Sequence, residues 1–196
     1  MKYIVLKRNI FRKGDYWITP LREKDIHLIR EWRNKQILIL RQNKYLTKEE
    51  QINYYNNVVI PSFSQHRPNL ILFSFLYKNK CIGYGGLVHI DWDNKRAEMS
   101  FLTNPKIANN NVLYEFKFNI FIHLIKKVAF EELKLNKIYT ETFDIRPHHI
   151  SILEKNGFRF EGRLRQHVYK GRKYLDSLIH SILRREYELE RQKNIC

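Results

Sequence analysis

The hydrophobic pattern changes period several times along the chain, and each change marks an element. Tyr16–Thr19 reads as a short extended segment closed by Pro20. From Arg22 to Asn34, Ile26, Ile29 and Trp32 recur every third position, which predicts a helix. Thr47 with Glu50 three residues on has the form of a capping box. A second helix therefore starts there, runs to about Val59 and ends before Pro61. Residues 1–14, ahead of these, read as a basic lead-in.

The middle of the chain is β-rich. Asn69–Tyr77 is an apolar, aromatic run bounded by Pro68 and a Lys78-Asn79-Lys80 turn. Cys81–Ile90 and Arg96–Thr103 follow after short polar turns, so three strands form an antiparallel meander. Asn104–Asn111 reads as a Gly-free loop. From Leu113 to Leu133, Leu113, Phe116, Ile120 and Leu124 recur every three or four positions, with Phe118, Phe121, Ile125 and Ala129 in an adjacent stripe. That predicts a long helix with a wide buried face. Lys137–Phe143 reads as a strand. Pro147–Asn156 reads as a short helix with Pro in its first turn and Gly157 just past its end. Phe158–Gln166 and Lys173–Leu183 form a last strand pair, and the charged tail from Arg184 is helical at first, then frayed.

The order predicts a mixed α/β (α+β) fold with a mostly antiparallel sheet. One strand–helix–strand crossover makes Arg96–Thr103 and Lys137–Phe143 parallel neighbours, with a cleft expected at their carboxyl ends. No internal repeat or flexible linker interrupts the pattern. The expectation is one domain over residues 1–196, with its core at about 16–183.

Composition narrows the classes. The 196-residue chain carries 36 Lys and Arg against 20 Asp and Glu, a net charge of +16, which points to an anionic partner. Two cysteines, Cys81 and Cys196, supply neither a disulfide framework nor a zinc pattern. The first residues hold no apolar run of signal-peptide length, and no stretch is long enough to span a bilayer. The expected setting is the reducing cytoplasm, with no membrane partner.

Several segments, taken in order, resemble the GNAT acetyltransferase superfamily, which moves acetyl groups from acetyl-CoA to amines. They are Ile18-Thr19-Pro20-Leu21-Arg22-Glu23-Lys24-Asp25, Arg96-Ala97-Glu98-Met99-Ser100-Phe101-Leu102, Ala129-Phe130-Glu131-Glu132-Leu133 and Ile150-Ser151-Ile152-Leu153-Glu154-Lys155-Asn156-Gly157-Phe158. Glu161-Gly162-Arg163-Leu164-Arg165 and Tyr174-Leu175-Asp176-Ser177 are similar to the branch with ribosomal-protein and nucleotide-aminosugar acetyltransferases. The resemblance implies a three-layer α/β/α fold whose splayed parallel strand pair forms the CoA cleft. The sequence departs from the family twice. Asn104–Leu113 lacks the Gly-rich pyrophosphate loop, and Leu153 stands where many relatives carry the Tyr that protonates the departing thiolate. That acid is absent, comes from elsewhere, or is replaced by water.

Acetyl transfer needs a neutral amine, so a general base must lie near the nucleophile. Glu98, on the strand bordering the cleft, is the first candidate, because partial burial raises a carboxylate's pKa toward neutrality. Its bland alternative is a strand glutamate paired with a cation. His89, ending the preceding strand, is the second. The resemblance implies that Phe101, Leu102 and Thr103 pair with the pantetheine arm. The helix start at Leu113, Tyr114, Glu115 and Phe116 would take the pyrophosphate, with Lys117 adding charge. Arg146, Ser151 and Lys155 complete the expected cofactor set. The adjacent His148 and His149 diverge on a helix and make a poor metal site; both are expected to be neutral, and no metal is expected. Arg33, Asn34, Tyr45, Glu141, Arg163 and His167 are the expected acceptor contacts, with Arg41, Lys44 and the basic run Arg163–Lys173 nearby.

The leading expectation is an acetyl-CoA-dependent N-acetyltransferase of a nucleotide-linked amino sugar in surface-glycan biosynthesis. The expected partner is an anionic small-molecule acceptor, the nucleotide-amino sugar, with no obligate nucleic acid, and a homodimer is compatible with this reading. Ribosomal-type protein N-terminal acetylation is the alternative, and a basic nucleic-acid-binding module is the non-enzyme alternative.

Overall fold

The structure is a computed structural model, and it describes residues 1–193. The expected fraying of the tail, and Cys196, lie outside the described residues. The strands form one sheet in the order β1-β2-β3-β4-β5-β6-β8-β7, mixed α/β as expected.

The lead-in is part of the fold, contrary to its expected role. Phe11–Lys13 (β1) pairs antiparallel with Tyr16–Pro20 (β2) through a turn in which Gly14 takes a φ of +58°. Tyr3 is fully buried, and its hydroxyl accepts from the Leu72 N–H at 2.8 Å. The apolar residues Tyr3, Leu6 and Phe11 are scattered among cations, so no period betrays their burial.

Helix α1 (Ile26–Lys35) buries Ile26, Ile29 and Trp32, the residues that predicted it. Helix α2 (Lys48–Tyr54) opens on the expected capping box, with the Glu50 N–H donating to Thr47 Oγ1 at 3.1 Å and the Thr47 N–H to Glu50 Oε2 at 2.9 Å. The helix does not stop before Pro61. A widened, π-type turn (Tyr55–Val59) leads into a last short turn, α3 (Ile60–Ser62). Proline is tolerated there because the regular i→i−4 ladder is already broken.

The meander follows as β3 (Ile71–Tyr77), β4 (Lys80–Asp91) and β5 (Arg96–Thr103). Gly85 lets β4 and helix α5 (Asn111–Lys126) close on each other, since a Cβ there would collide with the Ser100 carbonyl and come within 2.9 Å of Phe121. The expected loop Asn104–Asn111 instead contains a short helix, α4 (Pro105–Ala108), with Pro105 in its first turn and Asn104 Oδ1 accepting from the Lys106 N–H at 2.9 Å. Helix α5 lays Phe118 and Phe121 on Phe101 at centroid distances of 4.7 and 4.5 Å. Each such ring contributes about 2–3 kcal/mol on burial. A π-type turn over Lys127–Glu132 extends this helix.

Strand β6 (Lys137–Phe143) then runs parallel to β5, the only parallel pair of this sheet. Helix α6 (Pro147–Lys155), β7 (Arg159–Lys170), β8 (Lys173–Leu183) and helix α7 (Arg184–Lys193) complete the described chain. Tyr187 of α7 is buried against Phe130, 5.2 Å between ring centres.

The decisive feature is how little of β5 and β6 is joined. Their register covers Arg96↔Lys137, Ala97↔Ile138 and Glu98↔Tyr139, then ends, although both strands continue. The edges of Met99–Thr103 and Thr140–Phe143 are left facing across a gap, the splayed pair that the resemblance implies.

Candidate active site

The gap opens into a cavity of about 520 Å³. Met99, Ser100, Phe101 and Leu102 form one wall and Thr140, Glu141, Thr142 and Phe143 the other. Strand alternation sorts the side chains by face. Glu98 and Glu141 point to the α1 side, where Arg41 reaches both. Phe101 and Thr140 point to the α5–α6 side.

Glu98 is buried, and the Arg41 guanidinium donates a hydrogen bond to its Oε1. The same guanidinium lies 3.7 Å from Glu141 Oε2. Burial works against the Arg41 charge, but the Glu98 and Glu141 carboxylates outweigh it and hold the group above its ordinary value. The base candidate is therefore buried as expected, yet it carries a counter-ion that sits far away in sequence. His89 occupies a bulge of β4 with φ +51°, and its Nε2 stands 3.9 Å from Glu98 Oε2. Bulges commonly re-aim a side chain in this way. Glu141 also accepts from the Ser177 hydroxyl at 2.9 Å and lies 3.8 Å from His167 Nε2.

On the acceptor side, Arg33 lines the cavity and donates to Tyr84 Oη and, at 3.0 Å, to Gln42 Oε1. Asn34 and Tyr45 do not line it. Asn34 braces the 42–46 loop through Leu46 and Gln42, and Tyr45 is exposed. Arg163 lies outside the wall and is held by Asp176 at 2.6 Å and Asp144 at 3.5 Å. The resemblance places Asn34 and Tyr45 at the acceptor, and the basic run of the last hairpin places Arg163 there; the side chains of all three turn elsewhere.

The cofactor side differs from expectation in detail. Phe101 and Leu102 line the gap, but Thr103 does not. Its hydroxyl donates to Ile82 O at 2.6 Å, and its carbonyl accepts from Gln36 at 2.9 Å. Helix α5 starts at Asn111, capped by Asn110, whose Oδ1 accepts from the Leu113 N–H at 3.0 Å. The Tyr114 N–H already bonds Asn110 O at 2.8 Å. Unsatisfied donors at this end therefore belong to Asn111 and Val112, not to Leu113–Phe116. Lys117 turns away from the gap and lies 5.5 Å over both the Tyr16 and Tyr77 rings, and burial lowers its pKa. Glu115 and Lys155 pair with each other at 2.7 Å. Phe116 is exposed, and Ser151 lies outside the cavity wall.

Arg146 lines the cavity and donates to Tyr114 Oη at 3.0 Å. The Tyr114 hydroxyl lies 2.7 Å from His149 Nδ1. Burial, reinforced by Arg146, holds His149 well below its ordinary pKa, so the ring is neutral. Because Arg146 can only donate, Tyr114 Oη accepts from it and passes its own proton toward His149 Nδ1. This network escaped the sequence reading because Tyr114 and His149 are 35 residues apart. Among the described residues, no group of His, Cys, Asp and Glu is arranged to hold a metal ion. No helix among them is long and apolar enough to cross a membrane.

Comparisons with known proteins agree with this geometry. The Acetyltransferase (GNAT) domain family matches residues 18–179. A Bacillus subtilis protein provisionally named ribosomal N-acetyltransferase YdaF is 24% identical over 139 residues, 70% of this chain and 73% of the relative. Spermidine N-acetyltransferase from Vibrio cholerae, solved with CoA and spermine, superposes with a TM-score of 0.77 at 20% identity, covering 90% of this chain and 99% of that one. A dodecameric structure of the Vibrio cholerae enzyme superposes with a TM-score of 0.73 at 19% identity, covering 89% and 97%.

The chain belongs to the GNAT acetyltransferase family. It is an N-acetyltransferase that uses acetyl-CoA, and the non-enzyme alternative gives way to this assignment.

Proposed function

We propose that the acceptor is a small-molecule amine that also carries an anionic group, with a nucleotide-linked amino sugar of glycan biosynthesis the first candidate. One observation carries this reading. Every carboxylate in the cavity wall already has a cation: Glu50 has Lys44 at 2.6 Å, and Glu98 and Glu141 share Arg41. Arg33 on the acceptor side of the same wall has no carboxylate partner among the described residues. A poorly hydrated guanidinium without a counter-ion favours an anion.

The chain's own residues then divide the work. The open strand edges at Met99–Leu102 fit an extended arm, whose amides would satisfy backbone groups that no neighbouring strand pairs. Arg146 stands at that end to meet phosphate. Acetyl-CoA, when bound, supplies an activated acetyl thioester. Glu98 takes the proton from the incoming amine, and Glu141 and His89 position that amine. An ammonium arriving between Glu98 and Glu141 displaces Arg41, which frees its guanidinium for the acceptor's anion. Arg33, with Tyr54 and Tyr84 beside it, forms the rest of that subsite. We place the reaction in the cytoplasm, where acetyl-CoA is available, and infer a homo-oligomer, since β7 ends the sheet on an exposed edge.

The competing acceptors are a polyamine and a protein N-terminus, which the names of similar proteins suggest. A polycation would meet the unpaired Arg33 and the net charge of +16. Thiol release from acetyl-CoA is measured with UDP-amino sugars, spermidine and N-terminal peptides, each product read by mass spectrometry. Turnover is expected with the anionic amines, and turnover with spermidine or peptides alone would overturn the acceptor assignment.

A further inference from the structure

Two buried polar atoms on the α5–α6 face are unsatisfied. Thr140 Oγ1 and His180 Nδ1 are fully shielded from solvent and have no hydrogen-bond partner. Thr140 is 3% exposed and His180 1% exposed. They are not independent. In the β6–β8 register Thr140 sits directly opposite His180, so both side chains rise from the same face as immediate cross-strand neighbours. Such an atom costs about 1–3 kcal/mol when left unpaired, so two side by side need a reason.

Their position supplies it. Thr140 is the first residue of β6 beyond the last β5–β6 pair, at the apex of the gap, and it lines the cavity. His180 lies behind it, away from the cavity. Its Nε2 stands 3.4 Å from Oε1 of Glu154 on α6, whose side chain is 55% exposed. Leu153, the neighbouring α6 residue, is fully buried and apolar and has no proton to give.

We propose that Thr140 is the proton donor to the sulfur that leaves when the thioester is cleaved, with His180 as its positioning and proton-supplying partner and Glu154 orienting the ring. As the C–S bond breaks, the electron pair stays on sulfur, and the Thr140 O–H proton crosses to it. The Thr140 oxygen regains a proton from His180 Nδ1–H, and His180 Nε2 takes one in turn from water reaching it past the exposed Glu154 carboxylate. The unpaired hydroxyl is thus the site of a hydrogen bond that forms only to the sulfur.

This rests on acetyl-CoA occupying the β5–β6 gap, and the test separates the two claims. Free CoA is bound to the wild type, Thr140→Val, Thr140→Ser and His180→Gln. Binding is followed by thermal shift, and ionisation of the bound thiol by its ultraviolet thiolate absorbance against pH. A donor to sulfur stabilises the thiolate, so Thr140→Val is expected to raise the bound thiol's pKa by about one unit, a tenfold change in its ionisation constant. Thr140→Ser retains the wild-type value and His180→Gln raises it partway, all at unchanged CoA affinity. Thr140→Val is expected to be at least as stable as the wild type, because it removes an unpaired hydroxyl. Equal CoA binding with an identical thiol titration in all four proteins overturns the relay and leaves the cleft assignment standing. Failure of the wild type to bind CoA overturns both.

Discussion

At the residue scale, the proposed chemistry turns on Glu98 and its counter-ion. Glu98→Gln is expected to keep CoA binding and to lower turnover by about a hundredfold or more, measured by thiol release. Arg33→Met is expected to raise the acceptor KM severalfold and leave the acetyl-CoA KM unchanged, which steady-state kinetics with both substrates varied will check. Glu98, His89 and Glu141 were legible in the sequence, because strand position and alternation carry them to the cleft. The pairings of Arg41 with Glu98, Tyr114 with His149 and Thr140 with His180 are not legible in the sequence, because partners 35 to 57 residues apart leave no local pattern. The misplaced residues Asn34, Tyr45 and Arg163 show the converse. A residue next to the cleft in sequence can turn its side chain into a loop brace, into solvent or into a surface ion pair.

At the scale of elements, the strands followed from their patterns with little loss: Arg96–Thr103, Lys137–Phe143 and Lys173–Leu183 have the expected bounds. The meander and the parallel crossover came from turn chemistry and connection length. The strand Phe11–Lys13 and the helix Pro105–Ala108 escaped because three or four residues cannot display a period. Caps decide where the helices begin. Thr47→Ala is expected to cost about 1 kcal/mol, read as a lower urea midpoint at unchanged slope, since both arms of the box are formed. Gly85→Ala is expected to cost about 1–3 kcal/mol in the same assay, because the added methyl meets the Ser100 carbonyl and the Phe121 ring.

At the scale of the whole molecule, burial of histidine couples stability to pH. Burial holds His123 down to about 4, from an ordinary 6.5, and holds His149 well below 6.5. Below pH 6.5 the unfolded chain binds protons that the folded chain refuses, so these groups make stability fall as pH falls and rise as pH rises. The melting temperature is expected to drop between pH 7.5 and pH 5, and His123→Gln is expected to flatten that slope. A net charge of +16 adds self-repulsion, so moderate salt should raise stability throughout.

The account depends on an acyl carrier entering between the parted strands. Amide hydrogen exchange with and without acetyl-CoA tests this most directly. The expected result is slowed exchange at Met99–Leu102 of β5, together with a rise in unfolding free energy of about 2.7 kcal/mol at a hundred times the Kd. Unchanged exchange along that edge at millimolar acetyl-CoA, with no gain in stability, would contradict it.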